Sequence, residues 1–266
     1  MSWSRHARVA AICVAAVMAA LTWAPVGWSS AQQVDTRSTG AVAEVAEVAA
    51  PPPGALVTAF ATNQLIYCSL ICPHIVDFVV DVPRAAVQAP GVYGAARAAG
   101  RSSDRALGTA LATVTAPARS SMDGIIDNDL NLVLPRAQNA LEVAVVEMMH
   151  VTDVARSGAG SAAVGAAFDT GRARILDALT APIVPNPPQI AAPTTPAQQS
   201  ALDAIDVGSA VLFQAPEIMM TGATESADVA ATELARSGDI DRAREVGAQR
   251  FGEFLDAANG VIEQSR

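Results

Sequence analysis

The sequence predicts an all-α fold: a helical bundle of roughly six to eight helices in two parts, split by a Pro-rich linker and preceded by a disordered N-terminal tether. Three observations carry this expectation. Non-polar residues recur every three or four positions between the breaks, the spacing of one helix face. Alanine, the strongest helix former, contributes 57 of 266 residues, while aromatic residues make up only 4%. Prolines cluster at Pro51–Pro53 and again between Pro182 and Pro196, where six fall within 15 residues, and such tracts can pair neither as helix nor as inner strand.

The elements follow in chain order. Arg5, His6 and Arg8 precede an uncharged apolar stretch from Val9 to Trp23, and small residues at Ser29 and Ala31 fit a signal peptidase. Residues 1–31 are therefore expected to be an export signal cleaved between Ala31 and Gln32. The competing reading is an N-terminal membrane anchor, because Val9 to Trp28 is 20 residues, just enough to span a bilayer if the break at Pro25 is tolerated. No cysteine lies in a lipobox, and twin arginines are absent from the leader. Residues 32–53 contain no Leu, Ile, Met or aromatic side chain and read as a flexible tether.

An N-terminal helical domain is expected over 54–181. Ala55 to Val82 is almost continuously apolar, but Thr62, Asn63, Ser69, His74, Asp77 and Asp81 interrupt it, which favours a buried helix over a membrane span. His74, Asp77, Asp81 and Arg84 would form one polar stripe on that helix. Ser103 or Asp104 can cap a helix running to Ala116 and stopped by Pro117. Asp127 to Asn131 reads as a polar loop between helices, and Pro83 and Pro135 as first helical residues. Leu141 to Val154 is again helical, and Gly158 to Gly165 a helix-helix turn. The linker covers 182–196. The acidic C-terminal helical segment, 197–266, carries five arginines against 12 acids, and the first domain nine against 11. Its clearest helix has Asp241 as N-cap, a stripe of Ala243, Gly247, Phe251, Phe254, Ala258 and Ile262, and Asn259-Gly260 as stop. Thr152–Gly158 and Thr232–Gly238 share five of seven residues, through either an internal duplication or convergent capping.

Composition excludes several functions. The chain has no lysine, so a phosphate-binding loop lacks its ammonium and Schiff-base chemistry its nucleophile. The glycines from Gly158 to Gly165 imitate nucleotide motifs in letters only, since they follow a helix and Ala166 replaces the required lysine. A net charge of −9 argues against nucleic acid as a partner. No Gly-x-Ser-x-Gly elbow is present. Asp127-Asn128-Asp129 resembles the start of a calcium loop, but Leu132 and Gln138 stand where glycine and a bidentate glutamate belong.

Two constellations remain. Cys68 and Cys72 are expected to form a short-loop disulfide in an oxidising compartment, with local distortion at Pro73; the alternative is a soft-metal pair joined by His74. Glu147, His150 and Asp153 contain one Glu-x-x-His, half of what a di-iron bundle uses, and are the candidate metal ligands. No cofactor is implied. The resulting expectation is an exported, non-catalytic cell-envelope or secreted protein acting by helix-mediated protein contacts or self-association. The alternative is a carrier of an apolar ligand such as a lipid, and the third reading is a metal-dependent enzyme on Glu147, His150 and Asp153.

Overall fold

The computed structural model describes residues 50–266, and these form one all-α unit with no strand. The expected signal segment, its Ala31–Gln32 cleavage site, the alternative anchor and most of the tether lie outside the described residues. Helix α1 spans Ala55–Ala98, α2 Ser103–Asn128, α3 Leu134–Arg156, α4 Ser161–Thr180, α5 Pro196–Ser209, α6 Ala215–Ser237 and α7 Ile240–Gln264. Five-residue π-helical segments, Asp129–Val133 and Ala210–Gln214, fuse α2 to α3 and α5 to α6. The chain thus makes two long rods, 103–156 and 196–237.

The rods pair antiparallel along their whole length. Arg105 donates to the Ser237 carbonyl, Thr115 to Asp228 at 2.8 Å, Gln138 to Asp206 at 2.6 Å and Gln198 to the Val146 carbonyl at 3.3 Å. Each step forward on one rod is matched by a step back on the other, which sets the two π segments opposite each other. Helix α1 folds back along α2, α4 along α3 and α7 along α6, and the first turns of α1 also meet α4.

Small side chains permit this packing. Eleven of the seventeen buried hydrophobic residues are alanine, so helices approach closely instead of interleaving large side chains. Gly108 of α2 abuts the backbone of Leu234 and Ala235 in α6, and Gly124 abuts the His74 ring. A further core cluster of Ala140, Val143 and Ala178 is lined by Ile175, Leu179 and Ala191. Ala191 belongs to the proline-rich segment, which therefore lies against α3 and α4. Asn139 also donates to the Pro188 carbonyl at 3.1 Å, and Gln189 donates to Glu142 at 3.2 Å. The 54–181 and 197–266 parts share one unit across this segment.

Several local expectations are corrected. Helix α2 starts one residue after its N-cap Ser102 and continues through Pro117, and α1 contains Pro73, Pro83 and Pro90. A proline within a helix costs about 3 kcal/mol; here α2 is held on one side by α1 and on the other by α6. The 127–131 stretch is helical, with Asn131 donating back to the Asp127 carbonyl and carboxylate. Asp239, not Asp241, caps α7 by accepting from the Arg242 amide, and α7 runs through Gly260 to Gln264. The glycine turn is shorter than the expected 158–165: Gly158 and Gly160 take positive φ of 75° and 87°, which favours glycine, but α4 begins at Ser161 and includes Gly165.

Candidate functional site

Helix α1 was expected to be buried, and this is the largest departure. Its inner edge, through Asn63, Tyr67, Ala85 and Ala96, is covered. Its outer side is bare: Leu65 is 70% exposed, Val79 59% and Val87 82%. The reason is the number of neighbours, since α2 covers one side only. No Asp, Glu or Arg occurs from Ala55 to Val76, and α1 is long and apolar enough to cross a membrane by length and composition. The polar stripe survives in part: Asp81 pairs with Arg84 at 2.9 Å, while His74 turns inward to Gly124.

At its N-terminal end, α1 separates from the end of α4 and leaves an open groove of about 800 Å³. Gly54, at φ 83°, turns the chain into α1 beside Pro52 and Pro53, and the neighbouring Pro51 is anchored because Arg172 donates to its carbonyl at 2.8 Å. Ala55, Ala59 and Ile66 form one wall, Leu176, Leu179 and Ile183 the other. Thr58, Thr62, Asn63 and Thr180 supply the uncharged polar groups, and Asn63 donates to the Leu179 carbonyl at 2.9 Å.

Arg136 of α3 is the only charged residue lining this groove. It is 2% exposed and donates through Nη1 and Nη2 to the carbonyls of Ala178 and Leu179 at the end of α4. That end is the negative pole of the helix and suits a guanidinium. Its Nε is buried without a partner, and burial lowers the guanidinium's affinity for its proton, offset only by the nearby Tyr67 phenol. Burial in turn raises the Tyr67 hydroxyl above its ordinary range. In sequence, Arg136 reads merely as part of a helix start. Its one signal is the lack of an acid three or four positions away, in contrast to Arg84, Arg119, Arg156, Arg172, Arg236 and Arg250, each of which has an acid partner on its own helix.

A second cleft, about 450 Å³, lies between the rods beside the π segments, lined by Leu130, Gln138, Glu142, Asp206 and Gln214. Gln138 bridges Glu142 and Asp206 with contacts of 2.9 and 2.6 Å. Burial, with Asp203 next, raises Asp206. Beside this network, burial and then the hydrogen-bonded Asp129 push Glu217 up to about 8, and its Oε2 is buried without a partner.

The sequence candidates fall as follows. Cys68 and Cys72 form the disulfide, one turn apart in α1 with Cα atoms 5.0 Å apart, and the helix runs on through Pro73. Glu147, His150 and Asp153 do not assemble. Glu147 is buried against α4 and accepts from Arg174 at 2.7 Å, whereas His150 and Asp153 face outward, with Asp153 beside Arg156. Glu147 and His150 are i, i+3 neighbours, but Asp153, at i+6, lies about 120° around the helix from Glu147, and both His150 and Asp153 are exposed. Among the described residues no three His, Cys, Asp or Glu side chains converge on a point that could hold a metal ion. No protein-family model matches the chain, and neither a curated protein nor a solved structure is similar to it.

Proposed function

We propose that the protein is an exported, non-catalytic binder of an apolar, lipid-like ligand, which lies in the groove between α1 and α4. The groove carries this reading. Its volume falls in the range of small-molecule sites, its walls are mostly apolar, and a few polar groups, one of them the Arg136 guanidinium, stand among them to orient a ligand. The alanine-dominated core supports it as well, because larger apolar side chains of α1 are left to face outward. Binding requires no catalytic set, and export agrees with the leader-like first 31 residues.

The test is displacement of the fluorescent apolar probe N-phenyl-1-naphthylamine from the full folded chain by hexadecanoic acid and hexadecanol. The expected result is saturable displacement that is lost in Ala59→Trp, which fills the groove, and kept in Val87→Glu on the outer side. Absence of probe and lipid binding, or equal binding by Ala59→Trp, overturns the proposal.

A second reading is favoured by the bare outer stripe of Leu65, Val76, Val79 and Val87, since contiguous exposed apolar surface marks interaction sites. In this reading the stripe meets a second copy or a protein partner. Sedimentation velocity should then show dimers that Val76→Glu converts to monomers, and a monomer at all concentrations removes self-association.

A further inference from the structure

Resting on the groove reading, we infer that the ligand is an anionic amphiphile, a single apolar chain ending in a carboxylate or phosphate, with its head group against the Arg136 guanidinium. Three observations point to an anion. Arg136 is the sole charge in the lining, in a chain with 26 acids and 17 arginines. Among the described residues no acid pairs with it; both of its known contacts are neutral carbonyls, and its Nε has none. A buried cation without a counter-charge is costly, and an incoming anion is the group that offsets that cost.

The geometry also suits such a head group. Nε and the neighbouring Nη2 form the side-on edge of a guanidinium, the edge that takes a carboxylate or phosphate in two parallel hydrogen bonds. Asn63, whose amide already donates to Leu179, holds the adjacent wall in place, and the hydroxyls of Thr58 and Thr62 offer further donors, whereas that of Thr180 donates to the Leu176 carbonyl. Ala55, Ala59, Leu176 and Ile183 also line the groove, where an alkyl chain displaces water from apolar walls. A cationic amphiphile would meet the buried guanidinium as a like charge and is excluded.

The experiment compares hexadecanoic acid, hexadecyl phosphate, hexadecanol and hexadecylamine as displacers at pH 7.5, below their micellar concentrations, on the full chain. The acid or the phosphate, whichever is the true head-group class, should bind about tenfold or more tighter than the alcohol, and the amine most weakly, as expected for a charge-assisted hydrogen bond. Their ranking identifies the source of the anion. Arg136→Gln should reduce the preference to about twofold, and Arg136→Lys, which keeps the charge but loses the planar fork, should retain only part of it. Because either variant can fail to fold, the carboxyl carbon of bound [1-¹³C]hexadecanoic acid is titrated by NMR on the unmodified protein, where it should ionise at lower pH than in micelles. An alcohol that binds as tightly as both the acid and the phosphate, or, where the acid is the tighter anion, an unshifted titration, overturns this inference and leaves the groove reading standing. If none of the four compounds binds, the groove reading itself falls.

Discussion

Substituting Gly108 by alanine tests the close approach on which the paired rods depend. A Cβ built there lies 2.6 Å from the Leu234 carbonyl carbon and 2.7 Å from the Ala235 Cα, both of them backbone atoms that cannot rotate away. The Ala235 backbone nitrogen lies closer still, and ordinary contact needs 3.4 Å or more, so α2 and α6 must part by about an ångström or more. The contacts at Arg105–Ser237 and Thr115–Asp228 flank the site on both sides and resist that separation. Alanine gains about 1 kcal/mol in helix propensity, while overpacking of this kind costs about 1–3 kcal/mol and more when backbone must move; the expected net loss is about 2 kcal/mol. Gly252→Ala is the control, since nothing lies within 4 Å of a Cβ there and only the propensity gain remains, about 0.5–1 kcal/mol of stabilisation. Urea unfolding followed by circular dichroism at 222 nm should therefore place Gly108→Ala well below wild type in midpoint and Gly252→Ala slightly above it. A Gly108→Ala midpoint equal to that of Gly252→Ala would refute the claimed contact between α2 and α6. Gly124→Ala should fall between the two, because the His74 ring that it meets, with Cγ 2.7 Å away, is a side chain that can turn.

Glu217 titrates near 8 in the folded protein against an ordinary 4.5, so its contribution to stability is fully present below about 4.5, erodes as the unfolded state ionises, and is lost through about 8. Thermal melts of Glu217→Gln and wild type should agree near pH 4.5 and diverge in favour of the variant by pH 9; parallel curves would contradict the assignment. Reducing the Cys68–Cys72 bond should cost at most about 2 kcal/mol, because loop-closure entropy is small for so short a loop; the non-reduced, denatured full chain should show one thiol reacting with Ellman's reagent, Cys13, and three after reduction. Trp3, Trp23 and Trp28 are the only tryptophans, so protein exported and cleaved after Ala31 should show no tryptophan emission, and its presence would sink the cleavage.

What the sequence made legible is what local periodicity encodes. The α7 stripe is one case: Ala243, Gly247 and Ala258 are buried where the three-to-four spacing put them. The glycine turn at Gly158 and the cysteine pair are others, because each depends on a few adjacent residues. Local rules failed where a distant neighbour decided the outcome. Pro117 ends a helix in isolation, yet α2 continues because α1 and α6 hold it on both sides. The apolar run of α1 signalled burial, but burial needs partners on more than one side, and no pattern within residues 55–98 states how many α1 has. Arg136 is the sharpest case, since its isolation from acids is visible in the chain, whereas its burial arises from α4 carbonyls more than 40 positions away.

The layout of the rods bears on the resemblance between Thr152–Gly158 and Thr232–Gly238. These segments close α3 and α6, each of 23 residues, each with proline just inside its start, each following a five-residue π segment, and each leading into an antiparallel helix. Pro135 and Pro216 lack the amide that an α-helical turn would direct to residues 131 and 212, both of which sit in the π segments, so the wider turns coincide with the missing donors. A π turn rephases the helix that follows it, and one acting alone would move the seam off its partner; two set opposite each other preserve the antiparallel pairing from Arg105–Ser237 to Val146–Gln198. Capping chemistry accounts for the matching arginine and glycine but not for matched π segments and prolines far upstream. α2–α3–α4 and α5–α6–α7 thus share one order of features, a helix, a π segment, a helix with proline just inside its start and an antiparallel return, and α1 precedes only the first. The groove that Arg136 lines forms where α1 meets α4, so the proposed ligand site depends on the one helix that has no counterpart in the second set.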